Sequence, residues 1–308
     1  MSFCIFNRKQ WTTSSIPKLS GRVTIVTGGN TGLGYITVCE LARKGARVYM
    51  FSRAETRALA AIEKIKGELG PHLNPEIEYI NFDLLRLKSA SEAAEEFMWR
   101  EKRLDILMAL PYELSPEGIE IQACNGTGHF ALTVSLLSLL KETAAMPDSH
   151  VRIVNISSIT YLGARAGKPD FSSLEGLNQK TCTTILQNIL LTNELQKHLA
   201  ESGITNICCL LVHPGVVVTE LIRSSLQSWP LLAPLAPIIR MFSITPEQGA
   251  LTQLYAATSP EVEEKDLKAA LLFLFAQPRT KSSLTEDKYD KLGSDFWALC
   301  EALMRQKA

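Results

Sequence analysis

The sequence predicts an α/β fold: a single Rossmann-type, doubly wound parallel sheet of about seven strands with helices on both faces. Three observations point there. Short apolar runs alternate with helical patterns along most of the chain. The runs are apolar throughout, as suits strands buried on both faces. A glycine-rich turn, TGGNTGLG at 27–34, joins the first strand to the first helix.

The strands are expected at 22–27, 47–52, 77–82, 104–108, 151–157, 205–213 and 269–276. Helical patterns lie between them at 32–44, 54–69, 87–102, 116–142, 184–201 and 245–258, with a last helix near 284–306. Repeated β-α-β units imply right-handed crossovers and parallel pairing. The proline-bearing segments 71–75 and 278–283 read as connecting loops.

A chain of 308 residues, 46% hydrophobic, is ample for one core. It divides into an N-terminal arm, 1–18, and one domain, 19–308, with a substrate-lid segment near 220–243. Lysine plus arginine equals aspartate plus glutamate at 32 each, so nothing calls for nucleic acid or an anionic membrane. The seven cysteines include no Cys-x-x-Cys pair and read as reduced thiols, with no metal site. No secretory leader and no long uncharged apolar run is visible, so a cytoplasmic protein with at most peripheral membrane contact is expected. One apolar stretch, 229–239, carries Pro230, Pro234 and Pro237, which forbid a regular helix throughout. It reads as the lining of a greasy entrance, a membrane-facing patch or a buried loop.

The turn is built for a phosphate. Gly28 permits the bend, Gly32 lets backbone approach a ligand, and Gly34 lets helix and strand pack closely. With Asn30, Thr31 and Leu33 it places N–H groups and a helix N-terminus toward an anion.

The marks TGGNTGLG, FSR at 51–53, FDL at 82–84, NGTGHFALT at 125–133, VNISS at 154–158, ILLTNELQ at 189–196 and HPGVVVT at 213–219 follow in order. Together they make the chain resemble the short-chain dehydrogenase/reductase family, and its retinol-dehydrogenase-like branch with many fungal members. The resemblance runs from about Leu19 to the C-terminus. It implies reversible hydride transfer between a nicotinamide and a carbonyl or alcohol.

Arg53, just past the second strand, stands where an acidic side chain would accept the ribose 2′-hydroxyl of NAD. Its donor fork suits a 2′-phosphate instead, so NADP (NADPH) is the expected cofactor. The resemblance implies that Asp83 meets the adenine edge beside the Leu84 backbone. It also implies that Pro214, Gly215, Val217 and Thr219 border the nicotinamide end. His213 reads as structural.

The catalytic positions depart from the pattern. The resemblance implies a serine that orients the carbonyl, matched by Ser158, and a relay asparagine, matched by Asn125. It also implies a tyrosine proton donor with a lysine four residues later. Those two positions fall on Thr181 and Ile185, and no Tyr-x-x-x-Lys occurs anywhere in the chain. The Asn-Asn-Ala-Gly turn expected after the fourth strand is also missing; residues 107–112 read LMALPY. Tyr161 and Lys180 are poorly spaced to substitute. Two explanations stay open: a repurposed or inactive site, and a reading frame that has lost two segments of an active parent. The sequence therefore predicts an NADP(H)-type oxidoreductase of a small lipophilic carbonyl or alcohol. The alternative is a catalytically impaired binding protein on the same scaffold, and homo-oligomer formation is compatible with either.

Overall fold

The structure is a computed structural model and describes residues 11–110, 121–157, 169–178, 184–215, 217, 244–280, 286–287 and 291–307. The strands are β1 (Val23–Thr27), β2 (Arg47–Ser52), β3 (Ile77–Asn81), β4 (Ile106–Ala109), β5 (Val151–Ile156), β6 (Ile207–Val212), β7 (Leu271–Phe273) and β8 (Gln277–Arg279). They form one sheet in the order β3-β2-β1-β4-β5-β6-β7-β8. Every neighbouring pair from β3 through β7 is parallel, and β8 returns antiparallel to β7.

The seven parallel strands match the sequence expectation, and β8 is an addition to it. Part of the loop expected at 278–283 is therefore strand. Pro278 is tolerated there because β8 is the sheet edge, where a missing N–H leaves no ladder bond unmade.

The helices are α1 (Gly32–Arg43), α2 (Glu55–Leu69), α3 (Leu87–Arg100), α4 (Ile121–Ser135), α5 (Leu137–Ala144), α6 (Leu174–Leu177), α7 (Thr184–Glu201), α8 (Pro246–Thr258), α9 (Glu261–Glu264) and α10 (Lys291–Lys307). The single helix expected at 116–142 is broken at Leu136 into α4 and α5.

Strand periodicity sorts the core into two layers. Val26, Met50, Met108, Val154 and Leu210 face one side, against Val38 and Leu41 of α1, Ile62 and Ile65 of α2, and Leu254 of α8. Ile25, Phe51, Leu107, Ile153 and Cys209 face the other, against Phe97 of α3, Leu132 of α4 and Leu195 of α7. α10 adds an outer layer, with Phe296, Cys300 and Leu303 on Phe130 of α4 and Leu186, Leu190 and Leu191 of α7. Each large side chain buried this way contributes about 1.5–3 kcal/mol. α8 begins with a capping box: Thr245 Oγ1 accepts the Gln248 N–H at 3.3 Å, and Gln248 Oε1 accepts the Thr245 N–H at 3.1 Å.

Two residues ahead of β1 pack on the rest of the fold. Trp11 meets the Tyr255 ring edge-on at 5.6 Å, and Ile16 is buried. At the N-terminal ends of the strands, buried Asp105 holds Arg22 at 2.8 Å and Arg103 at 2.6 Å. Cys39, Cys208, Cys209 and Cys300 are free and buried, and burial pushes the Cys208 thiol up to about 11. None of the described helices is long and apolar enough to cross a membrane.

Candidate active site

The strand order reverses direction between β1 and β4, and such a switch point opens a crevice at the C-terminal ends of the strands. The described candidate residues collect at those ends. Gly28 follows β1, Arg53 follows β2, Asp83 and Leu84 follow β3, and Pro214 and Gly215 follow β6.

The glycine turn is shaped by positive φ at Gly28 and Gly32 and by a close backbone contact at Gly34. Gly28 and Gly32 have φ of 61° and 52°. A Cβ on Gly34 would lie 2.2 Å from the Gly28 carbonyl oxygen, so the helix start is pressed against the turn. On Gly32 an added Cβ would meet nothing within 4 Å; that side of the turn is open. The α1 N-cap, Thr31, makes no side-chain cap to the helix, which leaves first-turn N–H groups for another acceptor. Asn30 Oδ1 is buried without a hydrogen-bond partner. These features fit a phosphate-bearing nucleotide.

Arg53 is exposed beside the turn. The Gly28 N–H donates to the Phe51 carbonyl at 2.8 Å, so turn and strand end run side by side, and Arg53 lies two residues further on. Asp83 shapes its own loop: its Oδ1 accepts the Leu85 N–H at 3.1 Å, and its N–H donates to Ser89 Oγ at 2.9 Å. One carboxylate oxygen of Asp83 thus serves its own loop.

Three glycines outside the turn draw the remaining walls together. A Cβ on Gly128 of α4 would lie 2.8 Å from the Leu84 carbonyl oxygen, so α4 packs directly on the loop after β3. On Gly126 it would lie 2.0 Å from Gln187 Oε1 of α7. On Gly249 of α8 it would lie 2.6 Å from Val217 Cγ2 and 3.0 Å from Leu33 Cδ2. Leu33 and Val217, far apart in sequence, thus both close on Gly249 of α8, and Val217 forms a bridge with Ile244.

The end of β4, where the Asn-Asn-Ala-Gly turn is missing, closes on Thr27. Its hydroxyl oxygen accepts the Leu110 N–H at 2.8 Å and lies 3.1 Å from His129 Nε2. The same hydroxyl reaches the carbonyls of Leu110 at 3.1 Å and Met108 at 3.3 Å. Sequence reasoning missed this link, and also Gly126, Gly128 and Gly249. A helix-interior glycine costs about 1 kcal/mol, so the pair in the NGTG motif was itself a signal of close packing.

Opposite the turn, α7 is fixed on β5 by polar side chains. Asn188 Nδ2 donates to the Ile156 carbonyl at 2.9 Å, Thr192 Oγ1 to the Asn188 carbonyl at 2.7 Å, and Asn155 Nδ2 to Thr192 Oγ1 at 2.8 Å. Ile185 falls in the first turn of α7, three residues before Asn188. Asn125 lies in α4, one residue before Gly126. Ser158, Thr181, Thr219, Tyr161, Lys180 and the lid segment 220–243 lie outside the described residues, as do the side chains of Asn125 and Ile185.

Comparison with known proteins decides the family. The short chain dehydrogenase family model matches residues 22–174. An uncharacterized oxidoreductase of Schizosaccharomyces pombe is 35% identical over 88% of this chain and 82% of its own length. The chain belongs to the short-chain dehydrogenase family. Mouse retinol dehydrogenase 11 is 38% identical over 82% of this short-chain dehydrogenase and 77% of its own length. Among solved structures, an uncharacterized protein of Mycobacterium paratuberculosis superposes with a TM-score of 0.67 at 27% identity, covering 96% of this chain and 98% of that one. The RhlG/NADP complex of Pseudomonas aeruginosa superposes at 0.65 with 21% identity, covering 83% and 96%, a likeness of fold. Short-chain dehydrogenases are oxidoreductases that bind a nicotinamide cofactor, and the glycine turn fits that use.

Proposed function

We propose that this short-chain dehydrogenase binds NADP(H) and acts, slowly, on a lipophilic carbonyl or alcohol. The observation that carries the reading is the open glycine turn with Arg53 beside it at the end of β2. The turn N–H groups and the α1 N-terminus would hold the diphosphate, and the Arg53 guanidinium would take the 2′-phosphate. Leu84 would lie along the adenine, and Pro214, Gly215 and Val217 along the nicotinamide end. Bound NADPH supplies the hydride. Ser158 would then orient the carbonyl oxygen, with Asn125 behind it as a proton-relay position. A lipophilic substrate is supported by the retinol dehydrogenase names of several relatives and by the apolar residues of 221–242.

Slow turnover follows from the sequence. Isoleucine at 185 offers no charge to lower a neighbour's pKa or to hold a ribose, and a threonine hydroxyl at 181 is far less acidic than a phenol. Losing a positioned general acid costs about 10²–10⁴-fold. The same departure favours a second reading, a nucleotide-binding protein with no turnover of its own.

Restoration separates the two. A chain given both an Asn-Asn-Ala-Gly turn after Met108 and a Tyr-x-x-x-Lys turn before Asn188 is assayed for NADPH oxidation with lipophilic aldehydes and ketones. The oxidoreductase reading expects a gain of at least about 10²-fold over the starting chain. A restored chain that folds and binds NADPH but reduces no carbonyl favours the binding protein.

A further inference from the structure

Only Arg53 and Ala54 connect β2 to α2. Ala54 is the N-cap of α2 and has no side-chain oxygen, so the helix start brings no cap that would fix this turn. The hold comes from neighbouring segments. Three successive carbonyls at the end of β2 accept hydrogen bonds there. The Phe51 carbonyl accepts the Gly28 N–H at 2.8 Å, and the Ser52 carbonyl accepts the Phe82 N–H at 3.2 Å. Those two bonds are backbone to backbone, and side-chain identity does not decide them. The others come from side chains of β3. Tyr79 Oη donates to the Ser52 carbonyl at 3.1 Å, and Asn81 Nδ2 donates to the Arg53 carbonyl at 3.4 Å.

Tyr79 and Asn81 stand two apart on β3 and so share one face of the sheet, and Asn81 pairs with Ser52 in the ladder. They are also joined to each other, Asn81 Nδ2 donating to Tyr79 Oη at 2.9 Å. An amide nitrogen carries two hydrogens, so it can make both bonds at once. The Arg53 carbonyl can only accept, which turns the nitrogen of the amide toward it, not the oxygen. The Tyr79 hydroxyl then accepts from Asn81 and gives its single hydrogen to Ser52. Burial pushes that phenol above its ordinary value, although the Asn81 amide acts the other way, and the hydroxyl keeps the proton it donates.

We propose that Tyr79 and Asn81 are positioning residues for cofactor choice: through the Ser52 and Arg53 carbonyls they fix the peptide from which the Arg53 guanidinium reaches the 2′-phosphate. An arginine side chain is long and rich in rotamers, so a directed contact with phosphate is strongest where its backbone origin is already set. Both residues act through the backbone, not by contact with the phosphate. NADH has no 2′-phosphate, so loosening Arg53 weakens NADPH selectively, whereas general damage to the site weakens both nucleotides together.

The proposal rests on the NADP(H) reading, and the test keeps the two apart. Dissociation constants for NADPH and NADH are measured by nicotinamide fluorescence for the unaltered chain, Tyr79→Phe, Asn81→Ala and Arg53→Gln. The first two substitutions are also each combined with Arg53→Gln. Tyr79→Phe keeps the ring and removes only the hydroxyl. Each of Tyr79→Phe and Asn81→Ala should lower the preference for NADPH over NADH by about threefold to tenfold, as for the loss of one hydrogen bond. In the Arg53→Gln chain neither should move the preference, because the group they position is gone. A preference unchanged in either folded variant overturns the proposal. So does an equal fall in the Arg53→Gln chain, which would mean that the two residues do not act through Arg53. If Asn81→Ala does not fold, Tyr79→Phe decides. A preference for NADPH that Arg53→Gln removes and Tyr79→Phe leaves intact keeps the NADP(H) reading and sinks the proposal alone. Equal affinities for NADPH and NADH in the unaltered chain, or no binding of either, overturn the reading and the proposal with it.

Discussion

The Asn188 amide donates to the Ile156 carbonyl across 2.9 Å and, with the Asn155–Thr192 contact, ties the start of α7 to the end of β5. Ile185 is one helical turn before Asn188. The scaffold therefore still delivers the helix start to the strand end, although the side chains expected there have changed. Both groups are buried, so their loss leaves an orphaned carbonyl. Asn188→Ala should lower unfolding free energy by about 1–3 kcal/mol in a urea titration. A loss below a few tenths would mean that packing alone holds α7 on β5.

Gly34→Ala should abolish nucleotide binding. The added methyl would stand 2.2 Å from the Gly28 carbonyl oxygen, and neither atom belongs to a flexible side chain. The turn must then move away from α1. Isothermal titration with NADPH should show affinity reduced by well over about tenfold, with the chain still folded by circular dichroism. Unchanged affinity would show that the turn is not the phosphate site.

Gly126→Ala tests the approach of α4 to α7. Its methyl would overlap Gln187 Oε1, the end of a flexible side chain held among buried groups. Overpacking of this kind costs about 1–3 kcal/mol. Thermal unfolding should move down, and Gln187→Ala in the same chain should recover part of the loss. Additive losses from the two substitutions would show that the contact is not what limits the site.

Acid should weaken the floor of the sheet. Burial pushes the half-buried Glu263 carboxyl up, but the hydrogen bond and charge of Arg152 outweigh it, helped by His150, and hold it below its ordinary value. A carboxyl lowered in the folded state stabilises fully above its unfolded value, near 4.5, and loses that contribution as pH falls further. Glu263→Gln should therefore flatten the stability profile below about pH 4.5 relative to the unaltered chain. A parallel decline in both chains would assign the acid sensitivity elsewhere.

Much of this was legible in the sequence because it is local. The glycine turn, the position of Arg53 after β2 and the sequence of apolar strands each depend on neighbours within a few residues. β8 was not legible: Gln277–Arg279 is short and exposed, and pairs only because β7 offers an open edge. The walls of the site were not legible either, since they depend on contacts between distant segments. Thr27 meets His129, Leu33 and Val217 both close on Gly249, and Gly128 meets Leu84; none of these groups shares a local pattern. Their only trace was glycine at 126 and 128 inside a helix, which helix propensity alone disfavours.

The most direct test is a paired titration of NADPH and NADH against the unaltered chain and Arg53→Glu. Arg53 at the end of β2, beside the Gly28 turn, predicts tighter NADPH binding by about tenfold or more, as expected for a charge-assisted contact. In Arg53→Glu that preference should vanish or reverse, because a carboxylate repels the 2′-phosphate and accepts the 2′-hydroxyl. Equal affinities in the unaltered chain, or a preference that survives Arg53→Glu, would contradict the NADP(H) assignment.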